Sequence, residues 1–200
     1  SYDVRIIVNK DNTFEYTETI DTDFTTSSHG LFRNIPMSNA YSIDNIKVEG
    51  HEYKVIKNDN YNKNLVIKIG SPNRYVFGPQ KYIIKYTLTG YNQYHKDFLY
   101  LDLFPTSWPT AVGHVNIHVQ FPKDFPLDDL KKYSGGYGIS DNQFGVFNID
   151  NDKKTVDFTA TNLPSNTGVT IARDLPKDYW TGARSKGFIT SILLIMGIVV

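Results

Sequence analysis

The chain contains no cysteine. Disulfides, thiolate metal sites and cysteine nucleophiles are therefore excluded together. It also lacks any excess of charge of one sign, because Lys plus Arg and Asp plus Glu both number 21 and the formal net charge is +0. No field of the kind that holds a polyanion arises from such a balance, so nucleic acid is not an expected partner. There is no internal repeat, no low-complexity stretch and no run of Lys or Arg. Helical periodicity is scarce as well: only PLDDLKKY, with Leu127, Leu130 and Tyr133 at helical spacing behind Pro126, predicts one short helix or turn.

What the chain does have is alternation punctuated by turn residues, the pattern of strands. In YDVRIIVN the residues Val4, Ile6 and Val8 share a face; after the turn NKDN, Phe14, Tyr16, Ile20 and Phe24 share another, which predicts a hairpin. Further strands are expected at 43–49, 53–57, 65–69, 81–90, 98–104, 112–121, 143–149, 155–161 and 168–173. With 200 residues and 14% aromatics to fill an inter-sheet space, the expected fold is an all-β, antiparallel β-sandwich of about ten strands. It occupies residues 1–176, and a connector follows over 177–186.

Residues 187–200, GFITSILLIMGIVV, carry no charge. A span needs about 20 apolar residues, so this run is expected to be the start of a transmembrane helix, with a buried strand or core helix as the alternatives. The membrane-contacting residues would be Gly187, Phe188, Ile189, Ile192, Leu193, Leu194, Ile195, Met196, Ile198, Val199 and Val200.

Several clusters invite a chemical reading. In SSHGLFRNIP, Arg33 lies in a strand-like run, and Glu18 keeps register with the inward residues of the second strand. An ion facing the core needs a partner, so a structural Glu18–Arg33 ion pair is expected. The functional alternative is an anion or ligand site built from His29 and Arg33. Trp108, between Ser107 and Pro109, is either an inter-sheet anchor or a platform for a sugar face. In GHVNIHVQF, His114 and His118 share a strand face but stand roughly 13 Å apart at about 3.3 Å per residue, too far to share an ion. No metal or other cofactor is expected. His95, Asp97, Asp102 and Ser107 are the ingredients of a hydrolase without a nucleophile elbow or other local signature. SGGYGIS lacks the lysine and helix start of a phosphate loop and is expected to be a tight turn.

The stretches VRIIVNKDNTFEYTETIDTDF, HGLFRNIP, IKIGSPNRYVFGPQKYIIKYTLTGY, DFLYLDLFPTSWPTAVGHVNIHVQFP, SGGYG and GVTIARDLPKDYW occur in this order. Through them the chain resembles the N-terminal extracytoplasmic domain of the YciQ-like predicted membrane proteins, a bacterial domain of unknown function. That resemblance implies a signal peptide before Ser1, a domain outside the cytoplasmic membrane and one or more helices after it. It implies no activity and no cofactor. The expected function is a membrane-anchored binding or sensing module at the cell envelope, with the membrane and an envelope protein or glycan as partners. The alternatives are an envelope hydrolase using the His95, Asp97 and Asp102 region, and a structural spacer.

Overall fold

The computed structural model describes residues 1–58, 64–91 and 97–185. Among them there is no helix; the chain forms thirteen strands, β1 (Tyr2–Val8), β2 (Thr13–Ser28), β3 (Leu31–Pro36), β4 (Tyr41–Val48), β5 (Tyr53–Asn58), β6 (Asn64–Ile69), β7 (Val76–Gly90), β8 (Phe98–Phe104), β9 (Val112–Gln120), β10 (Lys131–Gly135), β11 (Val146–Asp150), β12 (Thr155–Leu163) and β13 (Gly168–Asp174). One seven-stranded sheet, in the order β11-β12-β9-β1-β2-β7-β4, forms one layer. The other layer is split into two three-stranded sheets, β10-β13-β8 and β3-β6-β5, and all three sheets contribute to one hydrophobic core.

Alternation explains the large sheet. Tyr2, Val4, Ile6 and Val8 of β1 and Phe14, Tyr16, Glu18 and Ile20 of β2 are buried, while the residues between them are not. The two strands pair with Val4 opposite Glu18, and β7 continues the row with Ile84 opposite Glu18. β1 pairs with β9 in parallel, so the sheet is mixed. The antiparallel expectation holds for its remaining pairs.

β10 is not among the expected strands, and β3 is expected only as a strand-like run around Arg33; PLDDLKKY, expected as a short helix or turn, forms a turn. Leu127 and Leu130 are buried, as an apolar spacing requires, but they are buried from a turn in which Asp129 adopts φ 55°. That left-handed residue breaks the helical path, and Lys131 enters the pairing with β13 instead. Tyr179 and Trp180 are core residues: Trp180 meets Phe14 and Phe125 edge-on or tilted, and Thr181 N–H donates to the Lys10 carbonyl at 2.9 Å. The Lys10 ammonium lies 3.7 Å from the Tyr179 ring centroid and is paired with Asp124. The C-terminal segment is thus a strap across the β1–β2 turn.

A buried ion pair bolts β3 to the large sheet. Arg33 Nε donates to Glu18 Oε2 and Nη2 to Oε1, both at 2.7 Å. Tyr2 donates to Oε2 and Tyr86 to Oε1, both at 2.8 Å. Arg33 Nη1 donates to the Asn34 carbonyl. Burial alone would push the Glu18 carboxyl up, but the Arg33 charge and the hydrogen bonds from Arg33, Tyr2 and Tyr86 outweigh it and hold its pKa below the ordinary glutamate value.

Removing one partner leaves the other charged in the core, so Arg33→Met should destabilise the domain by about 3–5 kcal/mol. Its Tm should fall by about 10 °C in calorimetry. Glu18→Gln with Arg33→Met should be more stable than Arg33→Met alone, because no unpaired carboxylate remains. The pH dependence follows from the lowered folded pKa: the contribution is complete above the unfolded glutamate pKa and is lost as pH falls through the folded value. Acid unfolding monitored by circular dichroism should lose that part of its pH dependence in Glu18→Gln.

Candidate binding cleft

Splitting the second layer leaves a gap between the edge strands β3 and β8. The gap is a cavity of about 550 Å³, within the range of small-molecule sites. Phe14, Tyr16 and Glu18 of β2 and Tyr86 and Leu88 of β7 line it, together with Arg33 and Ile35 of β3 and Leu99, Leu101 and Leu103 of β8. Alternation on β8 turns its leucines into this cleft and its intervening residues, Tyr100 and Asp102, to the opposite face.

The edges bordering the cleft carry strand carbonyls that would otherwise await a neighbouring strand. Side chains take that place. Tyr16 donates to the Asp102 carbonyl at 3.0 Å, Tyr41 donates to the Pro36 carbonyl at 2.7 Å, and Arg33 serves Asn34. Tyr16 also stacks on Tyr86, with ring centroids 4.7 Å apart. Burial raises the pKa of the Tyr16 hydroxyl well above its usual value, and the Asp102 charge adds to this, so it remains a donor.

The outer face of β10-β13-β8 holds a second cavity of about 520 Å³. Register places Tyr100, Ala172 and Lys131 in one row across the three strands and Asp102, Thr170 and Tyr133 in the next. Beyond them Gly168 pairs with Gly135, where a side chain on Gly168 would strike Thr106 Oγ1 at 2.4 Å. Tyr137, 98% exposed on the SGGYGIS turn, stands at the rim. This cavity and the cleft share Phe98, Tyr100, Asp102, Thr106 and Tyr137, so the two meet around the β8 edge.

Asp102 is the titratable group at the junction. Thr170 Oγ1 donates to its Oδ1 at 2.7 Å. The residue as a whole is exposed, but the protein around the carboxyl withdraws it from bulk water and raises its pKa; the Thr170 hydrogen bond opposes this without cancelling it. Because the folded value is raised, the ionised form costs stability at neutral pH, and the cost is absent below the unfolded pKa. Asp102→Asn should therefore give a small rise in Tm at pH 7, measured by differential scanning fluorimetry, that disappears at pH 3.

The residues singled out from sequence fall in different places. Glu18 and Arg33 form the internal bolt, and Arg33 also lines the cleft. His29 sits at the strand end, its Nδ1 3.2 Å from the Ser71 and Arg74 carbonyls and its ring against Tyr75. Trp108 packs edge-on against Tyr2 at 4.9 Å and against Phe104, so it is an inter-sheet anchor and lines neither cavity. His118 Nδ1 lies 2.6 Å from Asp157 on the outer face of the large sheet. Among the described residues no three His, Asp or Glu side chains gather as a metal ion would need.

Of the hydrolase ingredients, Asp97 and Asp102 are held by different partners. His95 lies outside the described residues. Asp97 precedes β8, accepts the Asp178 N–H at 2.7 Å and braces the C-terminal turn, whereas Asp102 lies within β8 and accepts from Thr170. Of the lining residues, Tyr100 is not singled out from the sequence, Asp102 is read there as a hydrolase ingredient and Tyr137 lies in the SGGYGIS turn; β8 alternation is the signal that separates Tyr100 and Asp102 from the core leucines.

Residues 1–173 match the family described as the N-terminal domain of predicted membrane proteins (DUF2207). The chain belongs to this family. It is the family to which the ordered motifs pointed, and membership in DUF2207 places the chain in a membrane-associated context. No curated protein sequence matches it. Among solved structures, leukotriene A4 hydrolase from Saccharomyces cerevisiae is similar at 8% identity and a TM-score of 0.45, over 86% of this chain and 28% of that one. An M1 zinc metallopeptidase from Deinococcus radiodurans is similar at 11% identity and a TM-score of 0.39, over 85% of this chain and 40% of that one. The DUF2207 chain thus spans less than half the length of either enzyme, and likenesses this loose carry nothing about activity. Among the described residues no helix is long and apolar enough to cross a membrane; the apolar run 187–200 lies outside them.

Proposed function

We propose that this chain is the extracytoplasmic binding or sensing module of a membrane-anchored protein, and that the gap between β3 and β8 is its binding cleft. The observation that carries this reading is the cleft itself, a cavity of about 550 Å³ left open between two sheet edges whose carbonyls are already served by Tyr16, Tyr41 and Arg33. An unfilled space of this size forfeits packing that a neighbouring strand would supply, and it is kept open by specific hydrogen bonds. Family membership supports the membrane setting. The anchor in this proposal is residues 187–200, with the domain running from residue 1 to the strap at Trp180.

The absence of cysteine makes sidedness directly measurable. Tyr137→Cys places one thiol on an exposed turn away from the core. In whole cells a membrane-impermeant maleimide should label it fully, and labelling that requires lysis would overturn the extracytoplasmic placement. Binding is checked on the full chain in phosphatidylcholine nanodiscs by methyl NMR. A panel of cell-wall glycans, peptides and amphiphiles should contain at least one class that shifts Ile35, Leu99 and Leu103. If none shifts them, the cleft is not a binding site.

A further inference from the structure

We infer that the cleft and the adjoining tyrosine face form one continuous site for an amphiphile, an apolar chain bearing an uncharged, hydroxyl-rich head group such as a sugar. The inference rests on the cleft being a binding site and names what it binds.

The partition of the two joined cavities determines the class. Inside β8 the lining is dominated by Phe14, Ile35, Leu88, Leu99, Leu101 and Leu103, a surface that rewards hydrocarbon. Outside β8 it changes to Tyr100, Asp102, Thr170, Lys131, Tyr133 and Tyr137. A ligand that fills both must be apolar at one end and polar at the other, with the change falling at Asp102.

The outer face limits the head group further. Asp102 disfavours an anion and Lys131 disfavours a cation, whereas hydroxyls can donate to the first and accept from the second. Asp102 Oδ2 has no hydrogen-bond partner among the described residues, while Oδ1 is held by Thr170. Tyr100, 54% exposed, and Tyr137 offer ring faces, and Ala172 between Tyr100 and Lys131 leaves the floor flat. The two rows span about 10 Å across the strands and about 7 Å along them, the footprint of one or two sugar rings.

Two further observations concern the apolar end. Asn12, 2% exposed, lines the cleft, and its amide nitrogen has no partner. Gly90 N–H donates to the Asn12 carbonyl at 2.8 Å, and the adjacent turn is held by the strap at Thr181. This end of the cleft therefore lies beside the segment from which the chain runs on toward its apolar residues, where a lipid would be at hand. An extended peptide inserted between β3 and β8 is the competing occupant, but edge carbonyls of both strands are already engaged by side chains, which removes acceptors that strand addition uses.

The test uses the full chain in phosphatidylcholine nanodiscs, with empty discs as the control for partitioning. Titrations with n-decyl-β-D-maltoside below its micelle concentration, maltose, decyltrimethylammonium and decanoate are read at the Ile35, Leu99 and Leu103 methyls. The maltoside should bind at least tenfold more tightly than the other three. Tyr100→Ala should weaken it several-fold, and Ser38→Trp, at an exposed lining position, should abolish it without lowering Tm. Equal binding of all three amphiphiles would overturn the sugar-reading face, and equal binding of maltose would overturn the use of the apolar cleft. Shifts caused only by a strand-forming peptide would overturn the amphiphile while leaving the binding cleft intact. No shift with any probe would overturn both.

Discussion

Placing the Glu18 carboxylate beneath two layers requires Arg33 to be there, and that requirement fixes β3. The guanidinium satisfies both carboxylate oxygens and a strand carbonyl at once, and Tyr2 and Tyr86 supply the remaining donors from the large sheet. A buried pair of this kind adds little net stability over an apolar alternative, but each half strongly penalises a structure in which the other is displaced. It acts here as a registration device. β3 can take one position over β2, and the strands paired to it, β6 and β5, follow.

The split of the second layer is the counterpart of that fixed position. With β3 bolted to the large sheet and β8 paired to β13 in a sheet of its own, two strand edges face a common gap. Tyr16 and Tyr41 each satisfy one carbonyl at those edges without closing the space between them. The structural roles and the binding role proposed for the cleft thus fall on the same residues. Tyr16 is part of the core, a hydrogen-bond donor to β8 and part of the cleft wall, so the cleft is built into the packing of the domain and does not depend on a loop.

Much of this was legible from residue order. Strand patterning located eleven of the strands, because most of them bury one face and the period of two survives any change of partner; β5 and β11, which bury neither face fully, were found from their β-branched and aromatic residues. It also directed Glu18 inward, and Arg33 was then the nearby cation in a strand-like run. Two strands were missed for different reasons: β3 is short and carries its charge on the buried face, so its pattern looks polar, and β10 is a mixture of Lys, Ser and Gly whose strand state comes from pairing with β13. The cleft could not be read at all. It arises from the distance between β3 and β8, strands separated by more than sixty residues, and no local pattern encodes a gap. Trp108 shows the same limit from the other side, since only the positions of Tyr2 and Phe104 decide what its half-buried ring packs against.

The strap at Tyr179 and Trp180 has a mechanical consequence. The chain does not leave the domain from a frayed strand end. It leaves from beneath two aromatic rings wedged against Phe14 and Phe125, one of them tied through Lys10 to the first turn of the large sheet. Tension arriving along the chain past Ser185 would be borne by that wedge and passed in shear to β1 and β2, the strands that carry Tyr2, Tyr16 and Glu18. In the anchored arrangement proposed here, the point of attachment and the floor of the cleft are therefore one load path.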